Sequence, residues 1–478
     1  MDKYGVLWTR YSGSPVKLAE MTLTPSELRV TKTKEAIDLG LPGISLVHDK
    51  LNHPTMVFPR TPTSNLPPQL RVLMPPRNNN PQYVILSKLL ERRINIRGMP
   101  IIDQEWEMLL FAGRNGIGHV DAFKSDQDAE RYYLIPSRKD LSKEGSSALW
   151  AAFKRIAEGT ASNDDEIEEI IEAVGPTPGV TGFNPKLLTG ITLNANGDWD
   201  GVTSPDNGTL VLAKIDTPHY PGLIPLEHLC YQYHKLAGLD IPRIWRHEFE
   251  FKSEKVSVMA TERFDRHHGL PIPLESLYSI LQSGSPGKFF DTTDGSMEDV
   301  WKALKLVSEN STLDRADLFT RLVMSFLTGN GDLHLENWAI LGANGNARLS
   351  PVFDPAPMRA YRGMRANHDI LSAISFSGIG GMGDLPFAQS GKTPDNLFEK
   401  ICDFGVHMGM SAKHCRDRVA ELVNITKDYP DHAASTIKAS VNQYYKPKSP
   451  DIDGFITTLG QVRDAFDILP ALKGRNSY

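Results

Sequence analysis

The sequence predicts an α+β protein in which strands and helices are segregated along the chain rather than alternating. Two textures predict it: short, alternating apolar strands between about residues 179 and 261, and apolar residues at helical spacing after about Phe264. A Pro- and Asn-rich stretch from about Asn52 to Pro81 marks the N-terminal part as irregular and without repeats.

In chain order, Pro67-Pro68, Pro75-Pro76 and Asn78-Asn79-Asn80-Pro81 predict loop broken by short extended pieces. Helical patterns follow at 85–93 and 105–112. Asp164-Asp165 precede a helix over 166–174, with acids in the first turn where the dipole favours them and Gly175 as the stop. This helix ends a small N-terminal domain. Strands are expected at Lys186–Leu193, at Thr209–Ile215 and at 255–261, with a turn at 194–197. Between the last two, Leu226, Leu229, Cys230, Tyr233, Leu236 and Ala237 recur at helical spacing before Gly238, so one helix is inserted among the strands. Further helices are expected at 318–327, 397–408 and 419–425. The expected divisions are 1–150, 151–264 and 265–478.

The 478 residues suffice for two or three domains, and 40% hydrophobic with 23% charged residues excludes disordered and fibrous classes. A net charge of −6 and a pI near 6.2 supply no global basic field for nucleic acid. Three cysteines, Cys230, Cys402 and Cys415, are too few and too scattered for a disulfide framework or a four-ligand zinc site, and read as reduced thiols. The N-terminus carries charge and glycine where a signal peptide has its apolar run, and no stretch approaches the roughly 20 apolar residues of a membrane span. A cytoplasmic location is expected.

The most informative segment is Gly331-Asp332-Leu333-His334-Leu335-Glu336-Asn337, followed by Val352-Phe353-Asp354-Pro355. Its Asp-x-x-x-x-Asn spacing is that of a kinase catalytic loop, in which the Asp takes the proton of the attacking hydroxyl and the Asn binds Mg²⁺, while a later Asp holds the metal bridging the phosphates. Asp332, Asn337 and Asp354 can fill those roles. The bland alternative is a Gly-Asp turn, a capping Asn and an Asp-Pro turn. Any one residue alone favours it; the three in this order between apolar runs do not, because buried carboxylates need a metal or a partner.

Lys214, at the end of a strand apolar on both faces, resembles the ATP-orienting lysine of kinases, with Glu227 of the inserted helix as its natural partner. A lysine guarding an edge strand is the even alternative, and the Asp-Asn-Asp set tips the balance. Gly179-Val180-Thr181-Gly182-Phe183-Asn184-Pro185-Lys186 is a turn whose N–H groups suit a phosphate nest, although as a pattern it is weak and matches neither Walker nor Rossmann glycines. Gly284-Ser285-Pro286-Gly287-Lys288 is dismissed as a loop, since Gln282 replaces the first Walker glycine. The fourteen histidines show no His-Glu-x-x-His pattern; His334 is expected to orient the loop rather than to do acid–base work.

Taken together, these segments resemble the HipA family, the kinase toxins of bacterial toxin–antitoxin systems. The likeness rests on Thr181 to Leu188, on Ala213-Lys214-Ile215 with Tyr220-Pro221-Gly222-Leu223, on Glu227 through Gly238-Leu239-Asp240-Ile241-Pro242, on Glu262-Arg263-Phe264-Asp265-Arg266, and on Asp332 to Asn337 with Phe353-Asp354. It covers roughly 175–360 well and the helical remainder loosely, with the N-terminal part as a counterpart of that family's small first domain. The resemblance implies a kinase-like two-lobed fold: a β-rich ATP-binding lobe with its N-terminal subdomain, then an all-helical catalytic lobe. It implies Thr181, Gly182, Phe183, Asn184, Pro185 and Lys186 as the phosphate loop, Lys214 on the α- and β-phosphates, and Glu262, Arg263 and Phe264 as hinge backbone to adenine. Asp332 would be the base, and Asn337 and Asp354 the Mg²⁺ ligands, with Glu227, His334, Leu335, Glu336 and Phe353 completing the ATP-binding set. It further implies a protein substrate such as an aminoacyl-tRNA synthetase, a helix-turn-helix antitoxin of the HipB type, contact with DNA only through that antitoxin, and no membrane partner. Two departures stand out. Gly179 occupies the place of the family's autophosphorylated serine, with Thr177 and Thr181 as nearby hydroxyls, and Asn184 replaces the usual glutamine.

Two other functions fit parts of this pattern. A small-molecule phosphotransferase uses a related Asp-x-x-x-x-Asn and Asp arrangement and differs by labelling a metabolite instead of a protein. A nucleotide-binding corepressor would act by holding a DNA-binding antitoxin, against which the intact Lys214, Asp332, Asn337 and Asp354 set argues.

Overall fold

The computed structural model describes residues 2–61, 63–75, 81–134, 150–151, 153–155, 186–203, 208–216, 220–251, 254–281, 296–361, 372–379, 393–444 and 451–466. The helix expected at 166–174 and the turn from Thr181 to Pro185 lie outside these residues. The protein is α+β. Contacts divide it into two compact units, one of Met1–Thr217, Arg243–Glu275 and Leu341–Ala347, the other of Pro218–Pro242, Ser276–Ile340 and Arg348–Tyr478.

The first unit opens with a five-stranded sheet of β1 (Lys3–Thr9), β2 (Val16–Leu23), β3 (Glu27–Lys32), β4 (Thr55–Pro59) and β5 (Val120–Phe123), in the order β4-β3-β2-β1-β5. Leu7, Leu18, Met21, Leu28 and Val30 turn one face into a core with Trp106, Met108 and Leu109 of a helix at Ile101–Ala112. That helix comes close because Gly5 has no Cβ; one placed there would lie 2.9 Å from Leu110. The alternation that would announce this sheet is broken where the β1–β2 register shifts between Leu7 and Trp8, since a one-residue irregularity reverses which side chains face the core.

A second sheet of the same unit holds β6 (Lys186–Leu193), β7 (Trp199–Thr203), β8 (Thr209–Ile215), β9 (Ile244–Phe251) and β10 (Glu254–Glu262), ordered β7-β6-β8-β10-β9. β6 and β8 have the expected bounds; β7 and β9 are additions. Leu187, Val211, Ala213, Ile215, Val258 and Ala260 pack one face against Trp150, Phe153 and Trp199. Because side chains alternate along a strand, the opposite face presents Lys186, Lys214 and Thr261.

The second unit is mainly helical: α1 (Leu223–Leu236), α2 (Met297–Val307), α3 (Ser311–Thr328), α4 (Leu397–His407), α5 (Ala412–Ile425), α6 (Tyr429–Tyr444) and α7 (Ile452–Phe466). A capping box of Ser296 and Asp299 starts α2. Leu318, Phe319, Leu322, Val323, Phe326 and Leu327 of α3 are buried, as are Phe455, Leu459 and Val462 of α7. Gly405 lets α4 close on Cys415 and Phe319. The chain beyond residue 265 is not wholly helical, however. Short strands at Leu274–Ser276, Ala339–Leu341 and Arg348–Leu349 are too brief to leave a period in the sequence. All three cysteines are buried thiols, and no helix among the described residues is long and apolar enough to cross a membrane.

Candidate functional site

In the first unit the notable feature is a pair of buried lysines. Register places Lys186 of β6 directly opposite Lys214 of β8, and Met259 of β10 opposite Lys214 on the other side. Lys186 is 3% exposed and Lys214 2% exposed. Two ammonium groups on one sheet face concentrate positive charge, a chemistry suited to anions. On the same face, Thr261 is buried and its Oγ1 has no hydrogen-bond partner among the described residues.

Just beyond lies Glu262-Arg263-Phe264. The N–H groups of Glu262 and Arg263 are taken up by the Arg243 and Leu210 carbonyls, both at 2.9 Å, and the Glu262 carboxylate accepts a two-pronged contact from Arg243 at 2.8 and 2.7 Å. The Arg263 side chain has a different task. Its Nε and Nη2 donate to the two oxygens of Asp265 at 2.9 and 2.7 Å, and its Nη1 donates to the Asn115 carbonyl at 3.1 Å. Asp265 also accepts from Arg266 and from the Gly118 N–H, each at 2.8 Å, while Arg266 donates to the Gly116 and Gly118 carbonyls at 2.9 and 2.7 Å. Burial alone would raise the Asp265 carboxyl, but the flanking guanidiniums outweigh it and hold the group at about 2. Burial and Arg263 in turn lower Arg266 to about 10. The motif thus clamps the loop 115–118 to the strand end.

In the second unit, α3 ends at Gly329, whose φ of +75° supplies the left-handed C-cap, with Asn330 N–H returning to the Ser325 carbonyl at 2.8 Å. The chain then folds onto itself. Asn330 Oδ1 accepts from Asp332 N–H at 3.1 Å, the Asp332 carbonyl accepts from His334 N–H at 2.8 Å, and Asn337 Nδ2 donates to that same carbonyl at 2.9 Å. His334 caps the short turn Leu335–Asn337, its Nδ1 accepting from Glu336 N–H at 3.2 Å. His334, Leu335 and Asn337 are buried, whereas Asp332 and Glu336 are half-buried. With its amide nitrogen engaged on the Asp332 main chain, Asn337 has its Oδ1 as the remaining ligating atom.

Asp354 follows half-buried Phe353 and has φ +53°, a conformation that side chains other than Gly, Asn and Asp rarely adopt. Its N–H donates to the Tyr231 hydroxyl at 3.0 Å, and its carbonyl accepts from Ala356 N–H at 2.8 Å. Tyr231 and Glu227 sit one turn apart on α1, both 1% exposed, so one helix face presents the carboxylate and holds Asp354. Between them on α1, Cys230 Sγ meets the Tyr429 hydroxyl at 3.2 Å, which donates to the Thr328 carbonyl at 2.9 Å at the end of α3.

Among the described residues no three His, Cys, Asp or Glu side chains gather into a metal cage. Asp354 and Asn337 instead match the sparse protein share of a Mg²⁺ site completed by phosphate oxygens and water. Sequence reasoning quoted Asp265 and Arg266 without a role, and missed Tyr231, Asn330 and the loop 115–118. Local motifs and their order were all that the sequence offered, and these partners are remote in sequence.

Comparison with known proteins follows the same lines. The model of the HipA-like C-terminal domain matches residues 179–428. A protein of Sinorhizobium fredii, Y4dM, is 24% identical over 318 residues, covering 62% of this chain and 70% of its own length. A protein of Haemophilus influenzae is 28% identical over 238 residues, covering 48% and 67%. Both are named provisionally as kinases. In fold, the chain is similar to HipA of Shewanella oneidensis MR-1, solved with HipB and operator DNA, with a TM-score of 0.59 and 15% identity over 98% of this chain and 97% of that one.

Proposed function

This chain belongs to the HipA-like family and is kinase-like, and on that premise we propose that it is an ATP- and Mg²⁺-dependent protein serine/threonine kinase. The observation that carries the reading is the bond from Asn337 Nδ2 to the Asp332 carbonyl, which shapes the loop so that a general base and a metal-binding amide oxygen are set at fixed spacing. Bound Mg·ATP would supply the phosphoryl group and neutralise charge on it. Asp332 would accept the proton of the incoming hydroxyl, Asn337 Oδ1 and the Asp354 carboxylate would hold the metal, and Lys214 would contact the α- and β-phosphates. The main chain of 262–264 would face the base, through groups other than the Glu262 and Arg263 N–H, which the Arg243 and Leu210 carbonyls already take up. The resemblance to the family assigns residues 181–185 to the phosphates.

The acceptor in this reading is a protein of the translation machinery, such as an aminoacyl-tRNA synthetase, and the partner is a HipB-type antitoxin through which the chain reaches DNA. A toxin acting in the cytoplasm is the corresponding role. Incubating the purified protein with Mg²⁺ and γ-labelled ATP in a bacterial lysate tests it. A labelled protein band lost with Asp332→Asn is expected; label confined to a small-molecule fraction, or no Asp332-dependent transfer, overturns the assignment.

A further inference from the structure

We propose that Tyr231 is a positioning residue for the metal site, setting Asp354 in its left-handed turn and making Mg²⁺ affinity depend on helix α1. The inference deepens the kinase reading and rests on it. Asp354 has φ +53°, a conformation costing an L side chain about 1–2 kcal/mol unless its surroundings over-determine it. The surroundings do so from both sides. The N–H is held by the Tyr231 hydroxyl at 3.0 Å, the carbonyl by Ala356 N–H at 2.8 Å, and Pro355 restricts the next φ.

Only the first of these contacts comes from outside the turn. Tyr231 is 1% exposed and lies 123 positions away in sequence, on the helix that one turn earlier carries Glu227. A displacement of α1 therefore moves the hydroxyl on which the Asp354 main chain rests. The same helix is anchored on either side of Tyr231, where Cys230 and Tyr233 meet Tyr429 and His432 of α6 at 3.2 and 2.8 Å. Tyr231→Phe removes the one oxygen and keeps the ring that fills the core.

The test uses thermal melting of the full chain with adenylyl-imidodiphosphate, first in EDTA and then along a Mg²⁺ titration. In Tyr231→Phe the Mg²⁺ half-point rises by about three- to tenfold, the size expected for one lost hydrogen bond, while the metal-free nucleotide shift is unchanged. Tyr233→Phe, which removes the hydroxyl on His432, leaves both unmoved. An unchanged half-point in Tyr231→Phe overturns the positioning role and leaves the kinase reading standing. Absence of any Mg²⁺-dependent shift in the wild type overturns the kinase reading and the positioning role together. If Tyr231→Phe does not fold, amide exchange in the wild type decides: a protected Asp354 N–H supports the bond, and exchange at an open-loop rate overturns it.

Discussion

Two polar constellations in this protein use the same residue types to opposite ends. Around Asp265, the bonds end on carboxylate oxygens: Arg263, Arg266 and the Gly118 N–H converge on them, and the carboxyl is held at about 2. Around Asp332 and Asp354, the bonds that shape the segment end on main-chain atoms: the Asp332 carbonyl and N–H, and the Asp354 carbonyl and N–H. The first carboxylate is buried and the other two are half-buried. The difference teaches how to tell structural charge from chemical charge. Where side-chain charge is sealed by neighbours its role is within the fold; where the backbone is pinned and the carboxylates sit nearer to solvent, the arrangement suits the chemical role proposed for them.

The sharpest way to break this contrast is to remove one charge from each side. Asp332→Asn should cut phosphoryl transfer by about 10²–10⁴-fold with little change in melting temperature, since the main-chain bonds that shape the loop, at the Asp332 N–H and carbonyl, are kept. Asp265→Asn should do the reverse in kind: a loss of about 3–5 kcal/mol of stability, read by denaturant titration, because Arg263 and Arg266 remain buried beside a neutral group. Its carboxyl is depressed from 3.8 to about 2, so that contribution is in place above about pH 4 and is lost as the pH falls towards 2. Asp265→Asn should lack this acid limb.

Histidines extend the comparison to milder acid. Burial lowers His119, on the Pro42 carbonyl at 3.0 Å, and His234, on the Cys230 carbonyl at 2.7 Å, each to about 4. Both are neutral when folded. Stability is therefore complete above about pH 6.5 and falls as the pH drops towards 4, where the unfolded chain takes up protons first. Melting temperature against pH should show this slope in the wild type and a shallower one in His119→Asn or His234→Gln. The smallest effect is expected from Gly118→Ala in the clamped loop. At φ +81°, with a Cβ 3.3 Å from the Leu274 carbonyl oxygen, it should cost about 1–2 kcal/mol in denaturant unfolding.

What could be read from the sequence divides along the same line. β6 and β8 were legible to the residue because both are short runs rich in Leu, Ile, Val and Thr next to turn-forming residues, and the loop from Asp332 to Asn337 because its spacing is local. Helices α2, α6 and α7 were not singled out, although α2 has a capping box, and the N-terminal sheet was hidden by the register shift after Leu7. Tyr231 and the loop 115–118 were illegible for a different reason. Their bonds to Asp354 and to Arg263 span 123 and 148 positions, and no periodicity or spacing reports a contact of that kind.

The left-handed turn at Asp354 has a consequence for how this chain can change over generations. Apart from glycine, the residues most at ease at that φ are Asp and Asn, and a codon for one becomes a codon for the other by a single base transition. The step from a charged to a neutral side chain at position 354 is thus among the shortest open to the gene, and it leaves the backbone undisturbed. A lineage under pressure to remove this charge, yet to keep the protein folded, has that exit at hand.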